Sequence, residues 1–106
     1  MIASGTNSAS PALIRFGPGR IFAWQLFNPG NAAAYLQIFD AASVSAVTLG
    51  TTPPTMSIGV ASLDGSDQSP SPISWDFVNG IVIAATATCG GSGAPNAPLV
   101  YNLNYQ

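Results

Sequence analysis

A chain of 106 residues with 6% charged side chains, 47% hydrophobic residues and no Lys, Glu or His lacks most of the groups that proton-transfer catalysis relies on. Its charged side chains are Arg15, Arg20, Asp40, Asp64, Asp67 and Asp76, for a formal net charge of −2, which gives no basic face for a phosphate backbone. One cysteine makes no internal disulfide, and no apolar run reaches the ~18 residues of a membrane-crossing helix, so neither nucleic acid nor membrane is an expected partner.

Eleven glycines and nine prolines punctuate short runs of Val, Ile, Phe, Tyr and Trp, and no window carries apolar residues at helical spacing. That pattern predicts an all-β antiparallel β-sandwich of about seven or eight short strands, jelly-roll in type, with an immunoglobulin-like sandwich as the alternative. Residues 1–10, rich in Ser, Asn, Ala and Gly, carry little apolar surface and read as a flexible N-terminal arm. Residues 11–106 read as the single sandwich domain. The arm has neither the basic nor the apolar region of a secretory signal, which points to a protein made and kept in the cytoplasm.

In chain order, residues 12–16 form a first short strand, ended by Gly17-Pro18-Gly19. Residues 20–27 are the strongest strand, with Phe22, Trp24 and Leu26 on one face and Ile21, Ala23 and Phe27 on the other. Apolar character on both faces predicts a strand that is central and covered, or one that meets a partner. Asn28-Pro29-Gly30-Asn31 fits a type II turn with positive φ at Gly30, closing a hairpin onto residues 33–40.

Residues 41–52 are looser, with a short strand at 45–49 or a helical turn at Ala41-Ala42-Ser43. Pro53-Pro54 enforces an extended crossing before residues 55–60, where Met56, Ile58 and Val60 point to one side. Residues 62–72 read as an exposed polar loop and residues 73–77 as a short strand bearing Trp75. Asn79-Gly80 predicts a type I′ hairpin into residues 80–89, followed by a Gly/Pro/Ser loop at 90–98. The last strand alternates most cleanly, with Leu99, Tyr101, Leu103 and Tyr105 inward and Asn102 and Asn104 outward.

Few residues invite chemistry. Cys89 is the one candidate nucleophile, but a catalytic thiol needs a base beside it and the chain has no His. It reads as a small buried or half-buried residue at a strand end. Asp64-Gly65-Ser66-Asp67 lacks the third acidic position and distal Glu of a calcium loop and reads as a solvated turn. Glycoside cleavage needs two of the four aspartates to converge, which their spacing does not favour. No Lys follows Gly90-Gly91-Ser92-Gly93, so this run reads as a flexible loop and not as a phosphate cradle.

No catalytic, cofactor-binding or metal-ligating residue is therefore expected, and the chain reads as a non-enzyme. Trp24, Trp75, Tyr35, Tyr101 and Tyr105 are expected mainly in the core. A carbohydrate-binding module with Trp24 or Trp75 as a stacking platform is the rival reading. Arg15 and Arg20 bracket a turn and are expected to pair with Asp40, with Asp76, or with a carboxylate of a neighbouring subunit.

The runs Tyr35-Leu36-Gln37-Ile38-Phe39-Asp40, Thr48-Leu49-Gly50-Thr51-Thr52-Pro53-Pro54 and Phe77-Val78-Asn79-Gly80-Ile81-Val82-Ile83-Ala84 resemble small virion structural proteins of tailed phages and prophages, most of all head decoration (cement) proteins. The resemblance spans residues 20–88 and rests on strand and turn signatures. It implies a non-enzymatic protein on the outer capsid surface of a virion assembled in the host cytoplasm. Its expected partners are the major capsid protein and further copies of itself, with a homotrimer as the expected oligomer. A tail, neck or fibre-associated β-domain is the alternative within the same class. Low charge and a positive mean hydropathy suit a surface covered by neighbours, because little self-repulsion opposes association.

Overall fold

Strand pairing in this protein is nested, so that the chain forms one long ribbon folded back on itself. The computed structural model describes residues 1–68 and 74–106. Its strands are β1 (Ile2–Asn7), β2 (Ala12–Phe16), β3 (Gly19–Asn28), β4 (Ala34–Asp40), β5 (Met56–Val60), β6 (Asp64–Gln68), β7 (Trp75–Phe77), β8 (Gly80–Thr86) and β9 (Leu99–Tyr105). β4 pairs with β5, β3 with β6 and β7, β2 with β8, and β1 with β9, all antiparallel. Two further pairings, β3 with β9 and β4 with β8, join the ribbon into sheets. Sheet I runs β1-β9-β3-β6, with β7 also on β3, and sheet II runs β2-β8-β4-β5. The protein is an all-β antiparallel sandwich.

The core between the sheets is made by alternate residues. β9 buries Leu99, Tyr101, Leu103 and Tyr105 and leaves the residues between them half-buried on the outer face. These meet Ile21, Leu26, Leu36, Ile38, Ile81 and Ile83, all buried in the same cluster. Each large aliphatic side chain so buried contributes roughly 1.5–3 kcal/mol.

β3 does not keep the simple alternation expected of it. Its pairing with β9 shifts register between Ile21 and Ala23, a bulge that gives β3 one extra residue at Phe22. Beyond the bulge, Trp24 lies opposite Leu103 and Leu26 opposite Tyr101, on the core side, while Ala23, Gln25 and Phe27 pair with Asn104, Asn102 and Val100 on the outer side. Ile21 thus shares the core face with Trp24 and Leu26, contrary to strict period two.

The strands covered on both faces are β4 and β8, and the cover is this chain's own. All seven residues of β8 are buried. On the outer side of sheet II, Phe39, Val82 and Ala84 form a second cluster with Ala41 and Val47, with Leu49 packed against it. The segment after β4, which holds a single 3-10 turn at Val44–Ala46, lies over this face. Neither the expected strand at 45–49 nor a helical turn at Ala41-Ala42-Ser43 forms. Gln37, fully buried on the same side, donates from Nε2 to the Thr86 hydroxyl and to the Gly91 carbonyl, which ties the 87–98 loop down as well.

Both turns with hairpin sequences are corners between sheets. β3 lies in sheet I and β4 in sheet II, so residues 29–33 cross the edge of the sandwich and close no hairpin. Gly30 is absent from the positive-φ glycines; Asn28 organises the corner instead. Its fully buried amide donates to the carbonyls of Ala32 (2.8 Å), Val60 (3.1 Å) and Ala61 (3.3 Å), and its Oδ1 accepts from the Gly30 N–H at 2.9 Å. Likewise β7 belongs to sheet I and β8 to sheet II, so Asn79-Gly80 also turns between sheets.

The first ten residues are not a free arm. Ile2–Asn7 is strand β1, in register with β9 from Ile2↔Asn104 to Asn7↔Leu99. The Met1 amine and carbonyl extend the ladder to Tyr105, at 2.7 and 2.8 Å. Backbone pairing, and not side-chain hydrophobicity, places this strand: β9 offers a row of donors and acceptors that small residues can satisfy as well as large ones. The expected loop at 62–72 also holds a strand, β6, on the free side of β3. Residues 69–72 of that loop, and Ile73 of the expected strand after it, lie outside the described residues.

Candidate functional site

Of the six charged side chains, Arg15, Arg20 and Asp76 border one pocket, and Asp40, Asp64 and Asp67 stand elsewhere. Asp64 and Asp67 stand exposed on β6, and Asp76 stands on β7. Arg20 Nε lies 3.9 Å from Asp76 Oδ1, with both side chains more than half exposed, so this ion pair contributes little. Arg15 bonds the Pro18 carbonyl at 2.7 Å through Nε. Cys89 is exposed, neither buried nor half-buried as its expected strand-end position suggested, because β8 ends at Thr86 and Cys89 falls in the loop beyond. Among the described residues no three His, Cys, Asp or Glu side chains gather where they could hold a metal ion.

Asp40 has a structural task at the corner between β7 and β8. Its carboxylate accepts from the backbone N–H groups of Val78 (3.0 Å), Asn79 (2.7 Å) and Gly80 (3.3 Å). Burial raises its pKa, and these three backbone bonds lower it by more, so the group sits below the usual carboxylate value. Gly80 fits here because a Cβ would strike the Ala41 and Arg15 carbonyl oxygens. The corner is thus fixed from both sides, and it holds Val78 out into solvent, 71% exposed.

Trp24 and Trp75 form a pair, with ring centroids 4.9 Å apart and planes tilted by 52°. Both are half-buried and packed against the main core. The expected core placement is thus met only in part, since both indoles keep some exposed surface and Trp24 also borders a groove on sheet I. Tyr101 and Tyr105 are buried in the same cluster, and Tyr35 is half-buried on the outer side of sheet II.

What the structure brings together is apolar surface at the ends of the sandwich. Phe16, 75% exposed, ends β2 beside Val78, since the next residue, Gly17, donates to the Asn79 carbonyl at 3.0 Å. Met1 is exposed at the same end, where β3 begins and β9 finishes. At the other end of β3, Phe27 and Leu63 are exposed, with the Leu63 N–H bonded to the Gly30 carbonyl. Sequence reading missed these residues as a set, because only the sheet-to-sheet corners bring the end of β2 to the turn that carries Val78.

The middle of the outer face of sheet I is polar by contrast. Ser4, Asn102, Gln25 and Asp67 lie in one row across β1, β9, β3 and β6. A groove of about 240 Å³ runs beside this row, bordered by Ile2, Trp24, Gln25, Asp67 and Asn104. No protein-family model, curated protein or solved structure matches the chain.

Proposed function

We propose that this protein is a non-enzymatic structural component of a tailed-phage virion, decorating the outer capsid surface and stabilising it through apolar contacts with the major capsid protein and with copies of itself. The observation that carries the reading is the pair Phe16 and Val78, two large apolar side chains held in solvent at one end of the sandwich. Val78 sits on a corner pinned by Asp40, so little ordering entropy remains to be lost when a neighbour covers it. A monomer gains nothing from such a display; a subunit in an assembly buries it.

Two further features support the reading. The nested order, β1-β9-β3-β6 against β2-β8-β4-β5, is the wrapping we assign to a jelly roll, an architecture that serves viral capsid domains among others. That likeness is one of architecture, and function rests on the surface. The runs at residues 35–40, 48–54 and 77–84 that resemble decoration proteins include the Asp40 corner. On the capsid, at local threefold positions, a homotrimer is the assembly proposed, with many weak contacts multiplied over the lattice.

The test is binding to expanded capsids of the encoding phage, by co-sedimentation, with a Phe16→Ser, Val78→Ser double variant as control. The expected result is stoichiometric binding by the wild type. The variant should keep its melting temperature within a few degrees and lose at least tenfold in affinity. A wild type that ignores the shell, or a variant that binds as well, overturns the proposal.

A further inference from the structure

The free edge of β1 points to a partner, and we propose that it is a second copy of the same strand, paired antiparallel across a two-fold axis at Ser4. The direction of the backbone groups follows from the ladder. Met1 and Tyr105 exchange both backbone bonds, so in antiparallel alternation Ala3, Gly5 and Asn7 also bond to β9, while Ile2, Ser4 and Thr6 turn their N–H and C=O groups away. β1 is the terminal strand of sheet I, and Ile2, Ser4 and Thr6 are all exposed. Among the described residues, that leaves three donors and three acceptors on an open edge.

Natural sheets guard such edges with charge, proline or bulges. Among the described residues, two of the other three edges of this sandwich carry such guards. β6 holds Asp64 and Asp67, and β2 holds Arg15 and a register shift between Leu13 and Arg15. The third, β5, reads Met-Ser-Ile-Gly-Val with no charge, proline or bulge, and there the Asn28 amide takes the Val60 carbonyl. β1 reads Ile-Ala-Ser-Gly-Thr-Asn, with no charge, no proline and an unbroken register. Its edge is unguarded.

The strand is also complementary to itself. Centring the two-fold on Ser4 sets Ile2 against Thr6 of the other copy and Ser4 against Ser4, so the outward-directed groups of all three residues meet in bonded pairs. Ala3 then faces Gly5, the smallest side against the smallest, with no clash on the core side. The polar row Ser4, Asn102, Gln25, Asp67 continues through the axis into its copy. With a net charge of only −2 per chain, long-range repulsion between copies is weak. This two-fold contact uses neither Phe16 nor Val78 and is independent of the virion reading.

The test is mass in solution, by sedimentation equilibrium over a range of concentrations, for the wild type and for Ser4→Pro. Proline at residue 4 removes an N–H that faces only the free edge, so the pairing with β9 survives. The expected result is a wild type whose mass doubles with concentration and a variant with at least tenfold weaker association and a similar melting temperature.

A second arm keeps the inference testable should Ser4→Pro fail to fold. In a Cys89→Ser background, Ser4→Cys brings two thiols together at a bonded pair with Cα atoms ~5.5 Å apart, within disulfide reach. Thr6→Cys places them several residues out of register. Mild oxidation should cross-link the first and not the second. Equal cross-linking of both, or a wild type whose association Ser4→Pro leaves unchanged, overturns the two-fold. Capsid binding by a chain that fails this test leaves the proposed function standing, and a Ser4-centred dimer that ignores capsids leaves only the two-fold.

Discussion

The Asp40 carboxylate accepts a 2.7 Å hydrogen bond from the Asn79 backbone N–H, 39 residues along the chain. With the bonds from Val78 and Gly80 it replaces the ladder that a hairpin would have supplied, at a place where the chain leaves one sheet for the other. An Asp40→Ala variant leaves three N–H groups to find water. It should lose about 2 kcal/mol of stability at pH 7, read from the urea midpoint.

The same bonds set a pH dependence. A carboxylate whose pKa falls on folding contributes stability above its unfolded value, 3.8 here, and that contribution fades as pH drops through the lower folded value. The gap between wild type and Asp40→Asn should therefore be widest near neutrality and shrink below about pH 4. Denaturation midpoints from pH 7 to pH 2 check this. A constant gap would mean that the carboxylate is not the acceptor that matters.

Gly80→Ala should be among the most damaging single-methyl changes in the protein. The added carbon meets two backbone oxygens, those of Ala41 and Arg15, and neither can swing aside as a side chain does. A loss of about 3 kcal/mol is expected, seen as a drop in melting temperature. Gly93→Ala, with open space around its Cβ, is the control and should change little.

Asn28 offers a test of hydrogen-bond polarity at the other corner. Its amide nitrogen faces three carbonyls. Asn28→Ala should cost about 2–3 kcal/mol. Asn28→Asp keeps the shape but sets a buried carboxylate oxygen against those carbonyls, and should be the worse of the two. Thermal denaturation of both variants gives the order directly.

The tilted Trp24–Trp75 pair, 4.9 Å between centroids, should couple the two indole transitions and give a split circular-dichroism band. Either Trp24→Phe or Trp75→Phe should abolish the splitting. Soluble oligosaccharides should leave tryptophan emission unchanged, since both rings pack against the core.

How much of this was legible in the sequence varied by element. β9 was readable because one face meets the core and the other does not, so alternation from Leu99 to Tyr105 records burial directly. β1 left no such record: its place depends on backbone groups that every residue carries. In β3 the bulge at Phe22 moved Trp24 and Ile21 onto one face, and no side-chain pattern announces an extra residue. The exposed pair Phe16 and Val78 was equally hidden, since 62 positions in the chain separate them and only folded corners make them neighbours.

The amino-acid string by itself determined an all-β chain of short strands, the positions of most of its turns, and a shortage of charge, because these depend on local geometry and composition. Tertiary structure alone decided which strands pair, that Asn28 and Asn79-Gly80 turn between sheets instead of within one, and that β4 and β8 are covered by their own chain. A turn motif specifies how sharply the backbone bends. Where the chain goes next is decided by the burial and backbone hydrogen bonds available far away in sequence.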